Sequence, residues 1–538
     1  MTRPATIANG VVIALAVIAY GSTVNNYFIQ DDFGVVWLLS QKPATYFPHW
    51  FVSTWMDNIW GYTPDEVRPF PAVSYQIAAI FGAGVPIANH VINIAFHAGT
   101  ALLVVQVALH AVGLGLPAAT LAGIIFVLLP NQAETAAWIT GRVDSMPAFF
   151  YVASFVTYAR WQGSGGARLY MWSVFWCFVA LLSKQTAITL GPALVLYDIM
   201  IARRPIAVTW QWLRPYLPFA VLTAGYLGLR YALFGEIARE SSLTAERTDF
   251  FIEHAADHAM RIVTGAEELV GIGGQAVAIA VAVFLLAWAM GALRRGSERS
   301  RHGRAALYFG VVWMALGILP TIVTTYSSPR HAYLASLGWA LAVGVAFDAM
   351  WRGREKRVVR VAACVGAAAL LFAYAVQLRP IVMDWNARAV MSRKAVTDLE
   401  RIATDAPAGT LIVAGVSPRA WTYALPFAAT PPFTHSDLTQ RVSVISGSSL
   451  HCCGPDQWDA HTRERLRFWL SRPSQTPVIA MHWDPRSGAL TYLTDTNDPS
   501  LRTLIELLLE SDDSTSLNAN ISRLTNDFVP YHARAVRQ

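Results

Sequence analysis

The run LVGIGGQAVAIAVAVFLLAWAMGAL, residues 269–293, holds no charged side chain and is followed directly by Arg294 and Arg295. A helix needs about 20 apolar residues to cross the hydrocarbon core of a bilayer, and this run is longer than that. Arg and Lys beside an apolar segment mark the end that stays on the cytoplasmic side. This stretch therefore predicts a membrane-spanning helix whose C-terminal end faces the cytoplasm.

The rest of the chain repeats this pattern. Hydrophobic residues make up 54% of the 538 residues and charged residues 14%, which is too apolar for an ordinary soluble protein. We therefore predict a polytopic α-helical membrane protein with about eleven transmembrane helices. The apolar runs begin near Ala5, His90, Pro117, Asp144, Leu169, Thr186, Leu213, Leu269, Ala305, Ala332 and Val358.

The basic clusters between these runs predict the topology. All of them fall on one side if the N-terminus is cytoplasmic, as the positive-inside rule requires. Residues 1–24 carry no small-residue cleavage signature, so we interpret them as a retained first helix. An odd number of spans then places the C-terminus outside. The clusters are Arg160 and Arg168; Arg203, Arg204 and Arg214; Arg294, Arg295, Arg299, Arg301 and Arg304; and Arg352, Arg354, Lys356, Arg357 and Arg360.

The C-terminal part has a different composition. From Arg379 onward acidic and basic residues nearly balance, and no run is long enough to span a membrane. We predict a transmembrane module over residues 1–378, with a long external loop at 25–87, and an extracytoplasmic soluble α/β domain over 379–538. Its predicted strands are 410–416, 441–445, 477–481 and 489–493, and its predicted helices are 389–403, 457–470 and 501–509.

Composition also bears on partners and compartment. The net charge of +6 comes from the clusters that orient the spans, so a nucleic-acid partner is not expected. Four lysines among 41 basic residues are typical of a GC-rich bacterial genome, and we predict a bacterial inner (plasma) membrane protein. Cys452 and Cys453 are adjacent in the C-terminal part and could form a local disulfide or remain two thiols.

The first candidate site is the adjacent acidic pair Asp31 and Asp32, just beyond the first predicted span. Carboxylates at a membrane surface are costly unless they have a function or are well solvated. One interpretation is a general base with a neighbour that orients the acceptor or a metal ion. The alternative is a solvated pair in a loop, and the two carboxylates do not distinguish these readings by themselves.

A second candidate site lies in the short loop between the third and fourth predicted spans, on the same predicted face. It contains Glu134, Arg142 and Asp144. These side chains could contribute to an active site. Alternatively, Glu134 and Arg142 could pair with each other to lower the cost of burying both charges.

Two isolated cations complete the candidate set. Lys184 interrupts an apolar stretch, and Arg330 opens the tenth predicted span on a face that otherwise lacks dense positive charge. Lys184 could be an interfacial anchor, whereas the guanidinium of Arg330 is suited to binding a phosphate with two hydrogen bonds. Cations that stabilise a leaving phosphate, together with a carboxylate that accepts a proton, suit transfer of a sugar from a polyprenyl phosphate.

An ordered series of motifs over roughly residues 20–340 resembles the GT-C glycosyltransferases, within them the protein O-mannosyltransferase-like branch that includes transmembrane and tetratricopeptide-repeat O-mannosyltransferases. No such repeats follow here. The family usually has Lys-Glu where this chain has Lys184-Gln185, and Glu-Arg where it has Pro329-Arg330. The matching elements are Asp31-Asp32; Arg68-Pro69; His90, Asn93 and His97; Pro130, Glu134, Trp138-Ile139, Gly141-Arg142 and Asp144; Ser183-Lys184; and Arg330, Tyr333-Leu334 and Ser336-Leu337-Gly338.

The resemblance implies a role for each residue. Asp31 would be the catalytic base, and Asp32 would help to hold the acceptor or a divalent ion, Mg or Mn. Arg330, Lys184 and Arg142 would contact the donor phosphate. Glu134, Asp144, Arg68, His90 and His97 would shape the site; the two histidines favour structural hydrogen bonding, with metal ligation as the alternative.

We therefore expect a GT-C-like membrane glycosyltransferase that takes a sugar from a polyprenyl-phosphate donor. Its acceptor would be the hydroxyl of a protein, lipid or glycan on the extracytoplasmic face, with inverting and retaining chemistry both open. Two alternatives are a transporter or flippase of a lipid-linked saccharide and a non-catalytic GT-C-like scaffold. Transporters more often show internal repeats with broken spans in matching halves, and the sequence has no such halves.

Overall fold

The computed structural model describes residues 3–59, 66–82, 85–207, 209–237, 245–265, 272–293, 298–323, 327–352, 357–421, 424–446, 466–471, 477–495, 499–511 and 513–524. The chain forms two compact units. The first comprises Met1–Val24, Val67–Pro71 and His90–Met383, and the second comprises Asn25–Glu66, Ala72–Asn89 and Asp384–Gln538. Several residues considered above lie outside the described residues: Leu269, Arg294, Arg295, Arg354, Lys356, Cys452, Cys453 and residues 457–465 of a predicted helix.

A helix begins at or near each position where an apolar run starts. Six helices of the described residues are long and apolar enough to cross a membrane, and seven if the bent pair Leu116–Leu128 and Pro130–Ala137 is one span. The protein is therefore an integral membrane protein, whereas eleven spans stay a prediction. The helices are Arg3–Tyr20, Pro86–Gln106, Leu116–Leu128, Arg142–Ser164, Ala167–Leu181, Leu190–Met200, Leu217–Phe234, Ile272–Leu293, Glu298–Ile318, Ser336–Arg352 and Arg357–Asp405.

Some of the other helices are too short or too polar to cross a membrane by themselves. Leu190–Met200 has 11 residues and Ser336–Arg352 has 17. Arg142–Ser164 is long enough, but its first turn carries Arg142 and Asp144, which lower its mean hydropathy. Those charges are buried at the end of the helix.

Glycines bring two helices of the first unit into close contact. A Cβ atom at Gly338 would collide with the carbonyl oxygen of Gly310, and one at Gly317 would collide with the backbone of Ala335. Side chains at these positions would push apart Glu298–Ile318 and Ser336–Arg352. The close approach fixes the chain on either side of the turn Pro329–Ala332.

Shorter helical segments connect the long ones. The helix Ala245–Thr264 is strongly amphipathic and lies between two long apolar helices along the chain. The remaining short segments are Gly21–Asn25, Ala44–Phe51, Trp55–Asn58, Val107–Ala111, Pro130–Gln132, Ala133–Ala137, Gln185–Thr189, Trp210–Leu213, Arg214–Tyr216, Leu319–Val323 and Pro329–Ala332.

The second unit contains a four-stranded sheet. Its strands are β1 (Leu411–Gly415), β2 (Ser443–Ser446), β3 (Val478–Asp484) and β4 (Ala489–Asp495), in the order β2-β1-β3-β4. β1 pairs in parallel with β2 and β3, with Leu411 opposite Ser443 and Val478, and β4 runs antiparallel to β3. The helices Pro499–Glu510 and Ser514–Arg523 cover one face, where Leu504, Ile505, Leu508, Leu517 and Ile521 join Leu411 and Val413 in an apolar core.

The strands lie at the four segments that the sequence favours. The helix Arg357–Asp405, however, continues without interruption past residue 378, where we predicted the soluble domain to begin. The change from apolar to charged residues therefore occurs inside one helix. The second unit resumes at Asp384. Its other helices are Asp32–Ser40, Pro69–Gly82 (shared with the first unit), Pro418–Trp421, Leu425–Ala428 and Leu438–Gln440.

Candidate functional site

In the first unit, Arg330 is held by two carboxylates. Its Nη1 donates to Glu134 Oε1 at 3.2 Å, and its Nε lies 3.6 Å from Asp144 Oδ2. The guanidinium also lies over the ring of Trp138, 4.8 Å from the ring centroid. Ser328 Oγ donates to Glu134 Oε2 at 2.5 Å, which ties the turn to the short helix Ala133–Ala137. These contacts fix Arg330 in one place, because both ends of its charged group have partners.

Lys184 is the second cation of this cluster. It follows the helix Ala167–Leu181, is buried, and its Nζ donates to Asp144 Oδ1. Asp144 therefore lies between the cations of Lys184 and Arg330. Burying an ammonium at the end of an apolar helix costs free energy unless a partner of opposite charge lies beside it. The Asp144 carboxylate is that partner for Lys184.

Arg142 is also brought to these loops and is fully buried. Its Nε donates to Asn93 Oδ1 at 2.8 Å. Asn93 Nδ2 in turn donates to the carbonyl oxygens of Trp138 and Ile139, at 2.6 and 3.0 Å. Asn93 thereby joins the helix Pro86–Gln106 to the loop that carries Glu134 and Arg142.

Arg68 adds a fourth cation and, like Arg142 and Lys184, it is buried. Its segment is attached to the Lys184 loop, since Phe70 N–H donates to the carbonyl oxygen of Leu182 at 3.3 Å. Lys184 and Arg330 pair with the carboxylates of Glu134 and Asp144, Arg68 acts electrostatically on Lys184, and Arg142 lies two residues before Asp144. Counting these six side chains, four positive charges against two negative ones leave an excess of two positive charges on largely buried loops.

Burial and neighbouring cations act on the titratable groups here. Burial lowers the pKa of the Lys184 ammonium; the Asp144 carboxylate opposes that change, and Arg68 and Arg330 add to it. Burial also holds the pKa of His331 well below its usual range, and Lys184 and Arg330 lower it further. His331 is therefore neutral at physiological pH, and the positive charge of the cluster comes from Lys and Arg.

The two predicted histidines are both buried. His97 Nδ1 is hydrogen-bonded to the hydroxyl of Tyr333 at 2.9 Å, and its Nε2 lies 3.4 Å from the carbonyl oxygen of Val127. Both ring nitrogens of His97 are thus engaged by the protein, which favours the structural role. His90 lies two turns earlier on the same helix.

The acidic pair lies in the second unit. Asp32 begins the helix Asp32–Ser40, is buried, and accepts a hydrogen bond from Ile29 N–H at 3.1 Å. Asp31, which precedes it, is only half-buried. The backbone at Gln30 has a φ of 50°, in the left-handed region that residues other than glycine rarely adopt. This geometry gives Asp32 a part in the turn and leaves Asp31 the more accessible carboxylate.

The C-terminal segment of the second unit holds this turn in place. Gln30 N–H donates to the carbonyl oxygen of Ala420 at 2.8 Å, and Ser392 Oγ donates to the carbonyl oxygen of Phe28 at 2.6 Å. The ring of Phe433 packs edge-on against Phe28 and Phe33, with centroid distances of 5.4 and 4.7 Å. The acidic pair is therefore positioned by residues almost 400 positions later in the chain.

Several buried polar atoms of the first unit have no hydrogen-bond partner within the part of the chain that the structure describes. Buried polar groups normally have partners, so such atoms indicate water or a polar ligand. They include both amide atoms of Gln132, Thr135 Oγ1, Ser145 Oγ and both ring nitrogens of His258. No group of three or more His, Cys, Asp and Glu side chains among the described residues is arranged to hold a metal ion, and the predicted Mg or Mn ion stays a prediction.

The structure thus brings Arg68, Glu134, Arg142, Asp144, Lys184 and Arg330 together in the first unit. Ser328, Trp138 and His331 were not predicted as site residues, although each lies in or beside a quoted motif, and neither was His258. The signal that could have found His258 is a histidine on an amphipathic helix of a loop predicted to be external, where neighbouring positions are polar.

Comparison with known proteins confirms the predicted resemblance. No family model matches the chain. Three curated relatives are protein O-mannosyl-transferases: TMTC3 and TMTC4 of Homo sapiens, 22% identical over 160 residues and 25% over 221, and Tmtc1 of Drosophila melanogaster, 27% over 185. The matches cover 28%, 36% and 33% of this chain. The chain spans 17%, 29% and 21% of the respective relatives.

Two solved structures are also similar. ArnT from Cupriavidus metallidurans bound to undecaprenyl phosphate is 14% identical with a TM-score of 0.48, over 88% of this chain and 93% of its own. The arabinofuranosyltransferase AftD from Mycobacteria is 14% identical with a TM-score of 0.49, over 90% of this chain and 37% of its own.

Proposed function

We propose that this protein is a membrane glycosyltransferase that moves a sugar from a polyprenyl-phosphate donor to the hydroxyl of a protein, lipid or glycan on the extracytoplasmic face. The observation that carries the proposal is the excess of positive charge on the largely buried loops of the first unit. Charge of one sign is costly to bury. A bound anion of opposite charge removes that cost, and a phosphate provides it.

The excess positive charge of the cluster matches the charge of the released phosphate better than that of the sugar donor. A sugar joined to a polyprenyl phosphate leaves one negative charge on the phosphodiester, and the released phosphate monoester carries up to about two. Four cations against two carboxylates leave two positive charges to meet it. Interactions that become stronger as negative charge develops on the leaving group accelerate the reaction.

The bond changes assign one task to each group. The acceptor oxygen forms a bond to the anomeric carbon of the sugar, while the bond from that carbon to the phosphate oxygen breaks. The hydroxyl proton passes to Asp31, the general base that the family resemblance implies. The polyprenyl phosphate leaves with the electron pair and is stabilised by Arg330, Lys184 and Arg142.

Mannose is the first sugar to test, because the curated relatives are named protein O-mannosyl-transferases. Membranes that contain the full chain would be supplied with polyprenyl-phosphate mannose carrying a label. Mild acid cleaves a sugar phosphate but leaves a glycoside intact, so acid-stable label measures transfer. Acid-stable label above that of empty membranes supports the proposal. Label that crosses the bilayer but stays acid-labile favours a flippase. The absence of both transfer and crossing favours a scaffold.

We further propose that the C-terminal segment of the second unit, which begins at Asp384, positions the acidic pair. The change Phe433→Ala removes the ring that packs on Phe28 and Phe33, so Asp31 loses its fixed position. Small displacements of a catalytic group cost one to two orders of magnitude in rate. We expect kcat for sugar transfer to fall about tenfold, with KM for the donor lipid unchanged, as measured by initial rates.

Phe433→Leu is the matched control, since it keeps most of the apolar volume and should retain most of the activity. Thermal unfolding of both variants shows whether the unit remains folded. Wild-type kcat in a folded Phe433→Ala protein would contradict the positioning role.

A further inference from the structure

The amphipathic helix Ala245–Thr264 carries a histidine with an unusual environment. His258 is 0% exposed, and neither of its ring nitrogens has a hydrogen-bond partner within the described residues. An imidazole has one donor and one acceptor when neutral, and burying both without partners costs several kcal/mol by order of magnitude. A buried side chain of this kind indicates a bound water or a polar ligand.

His258 lies beside the cationic cluster. Its ring is 6.0 Å from that of His331, at an interplanar angle of 70°. His331 directly follows Arg330 in the turn Pro329–Ala332, and this turn packs against the helix that carries His258. The unpartnered imidazole is therefore next to the groups proposed to hold the donor phosphate.

A second element that packs on the same turn has a similar feature. The segment Pro130–Gln132 also packs against Pro329–Ala332. Gln132 is fully buried, and both atoms of its amide lack hydrogen-bond partners within the part of the chain that the structure describes. Two elements that pack on the turn carrying Arg330 thus each hold a buried side chain whose polar atoms lack hydrogen-bond partners within the described residues.

The chemistry of these groups differs from that of the cations. Lys and Arg side chains only donate, which suits a phosphate. Burial lowers the pKa of His258 to about 4, with Arg261 adding to the effect, so its imidazole is neutral at physiological pH. A neutral imidazole and an amide each have a hydrogen-bond donor and a hydrogen-bond acceptor. A sugar hydroxyl both donates and accepts hydrogen bonds, so it can pair with either group.

We propose that His258 binds a hydroxyl group of the sugar on the polyprenyl-phosphate donor, with Gln132 as a second contact. The proposal rests on the proposed function, since it assigns part of the donor site. It makes His258 a residue that recognises the sugar, and it leaves the phosphate to Arg330 and Lys184.

Binding of two lipids separates sugar from phosphate recognition. Full-length protein in nanodiscs would be titrated with a polyprenyl-phosphate hexose, chosen as the tightest of the mannose, glucose and galactose lipids, and with bare undecaprenyl phosphate. The change His258→Leu removes both ring nitrogens and keeps an apolar side chain. We expect Kd for the sugar lipid to rise about tenfold, which corresponds to loss of one or two hydrogen bonds, and Kd for the bare lipid to stay the same.

His254→Leu is the matched control. It lies one turn earlier on the same helix, and its Nδ1 is already hydrogen-bonded to the carbonyl oxygen of Phe250 at 2.8 Å. Its Kd values should equal those of the wild type. His258→Gln, which keeps a donor and an acceptor, should restore part of the affinity and provides the test if the leucine variant fails to fold.

Three outcomes would overturn the inference. The first is an equal loss of affinity for both lipids, which would assign His258 to the phosphate. The second is no loss of affinity for either lipid. The third is no rescue by His258→Gln together with a lowered unfolding temperature, which would make the residue structural. The proposed function fails separately if the wild-type protein binds none of the sugar lipids and transfers no label.

Discussion

Asp31→Asn is expected to lower sugar transfer from the polyprenyl-phosphate donor by at least about a hundredfold, the range measured when a general base is lost. Asparagine has nearly the same shape but cannot accept the proton of the attacking hydroxyl. Since Asp31 is only half-buried, the change should leave folding intact. Initial rates of acid-stable label formation, at saturating donor, measure the effect on kcat.

Asp32→Asn is the comparison that makes this result specific. The Asp32 carboxylate accepts a hydrogen bond from Ile29 N–H, and the amide oxygen of asparagine can accept the same bond. We expect a loss of about tenfold or less from this change. A larger loss for Asp32→Asn than for Asp31→Asn would reverse the two roles. Full activity of Asp31→Asn would remove Asp31 from the mechanism.

Arg330→Ala is expected to lower kcat/KM by about a hundred- to a thousandfold, because it removes a group that stabilises charge on the leaving phosphate. The change also leaves Glu134 without the guanidinium that pairs with it at 3.2 Å. Without the Arg330 guanidinium, the carboxylates of Glu134 and Asp144 would repel the phosphate. Transfer rates over a range of donor concentrations, together with Kd for bare undecaprenyl phosphate, measure both effects.

Two further variants test whether geometry or charge matters at this position. Arg330→Lys keeps the charge but loses the planar fork and the contact with Trp138, so we expect an intermediate loss of about tenfold. Arg168→Ala removes an exposed arginine at the start of the helix Ala167–Leu181 and should have no effect. An equal loss for Arg330→Ala and Arg168→Ala would show that total charge, and not the cluster, controls activity.

Much of the helical framework could be predicted from the sequence, because apolar runs of spanning length are a strong signal. The number of spans could not be predicted in the same way. Leu116–Leu128 and Pro130–Ala137 meet at a bend of 58°, and buried helices such as Ser336–Arg352 are shorter than an isolated span. In such helices protein neighbours replace lipid, so length and hydropathy no longer decide whether a helix crosses the membrane.

The members of the cationic cluster could be predicted, but their pairings could not. Charged residues in apolar surroundings are rare enough that Lys184, Glu134 and Arg330 were each visible alone. That Glu134 pairs with Arg330, 196 residues away, depends on the packing of several helices. No local pattern carries that information.

The attachment of the acidic pair was equally invisible. Gln30 N–H donates a hydrogen bond to the carbonyl oxygen of Ala420, and Phe33 packs on Phe433. Neither Ala420 nor Phe433 belongs to a motif. The sequence could say only that a soluble region follows on the same predicted face. The structure adds that this region, within its own unit, holds the turn of Asp31 and Asp32, which gives it a role in the proposed reaction beyond that of an appended domain.

The central claim is that the cluster of Arg330, Lys184 and Arg142 binds the phosphate of the lipid donor. A cryo-EM map of the full-length protein in nanodiscs, with undecaprenyl phosphate added, tests it most directly. We predict phosphate density within hydrogen-bond distance of the Arg330 guanidinium and the Lys184 ammonium, and no such density in the Arg330→Ala variant. A phosphate bound elsewhere in the wild-type protein, with the cluster unchanged, would contradict the proposed donor site.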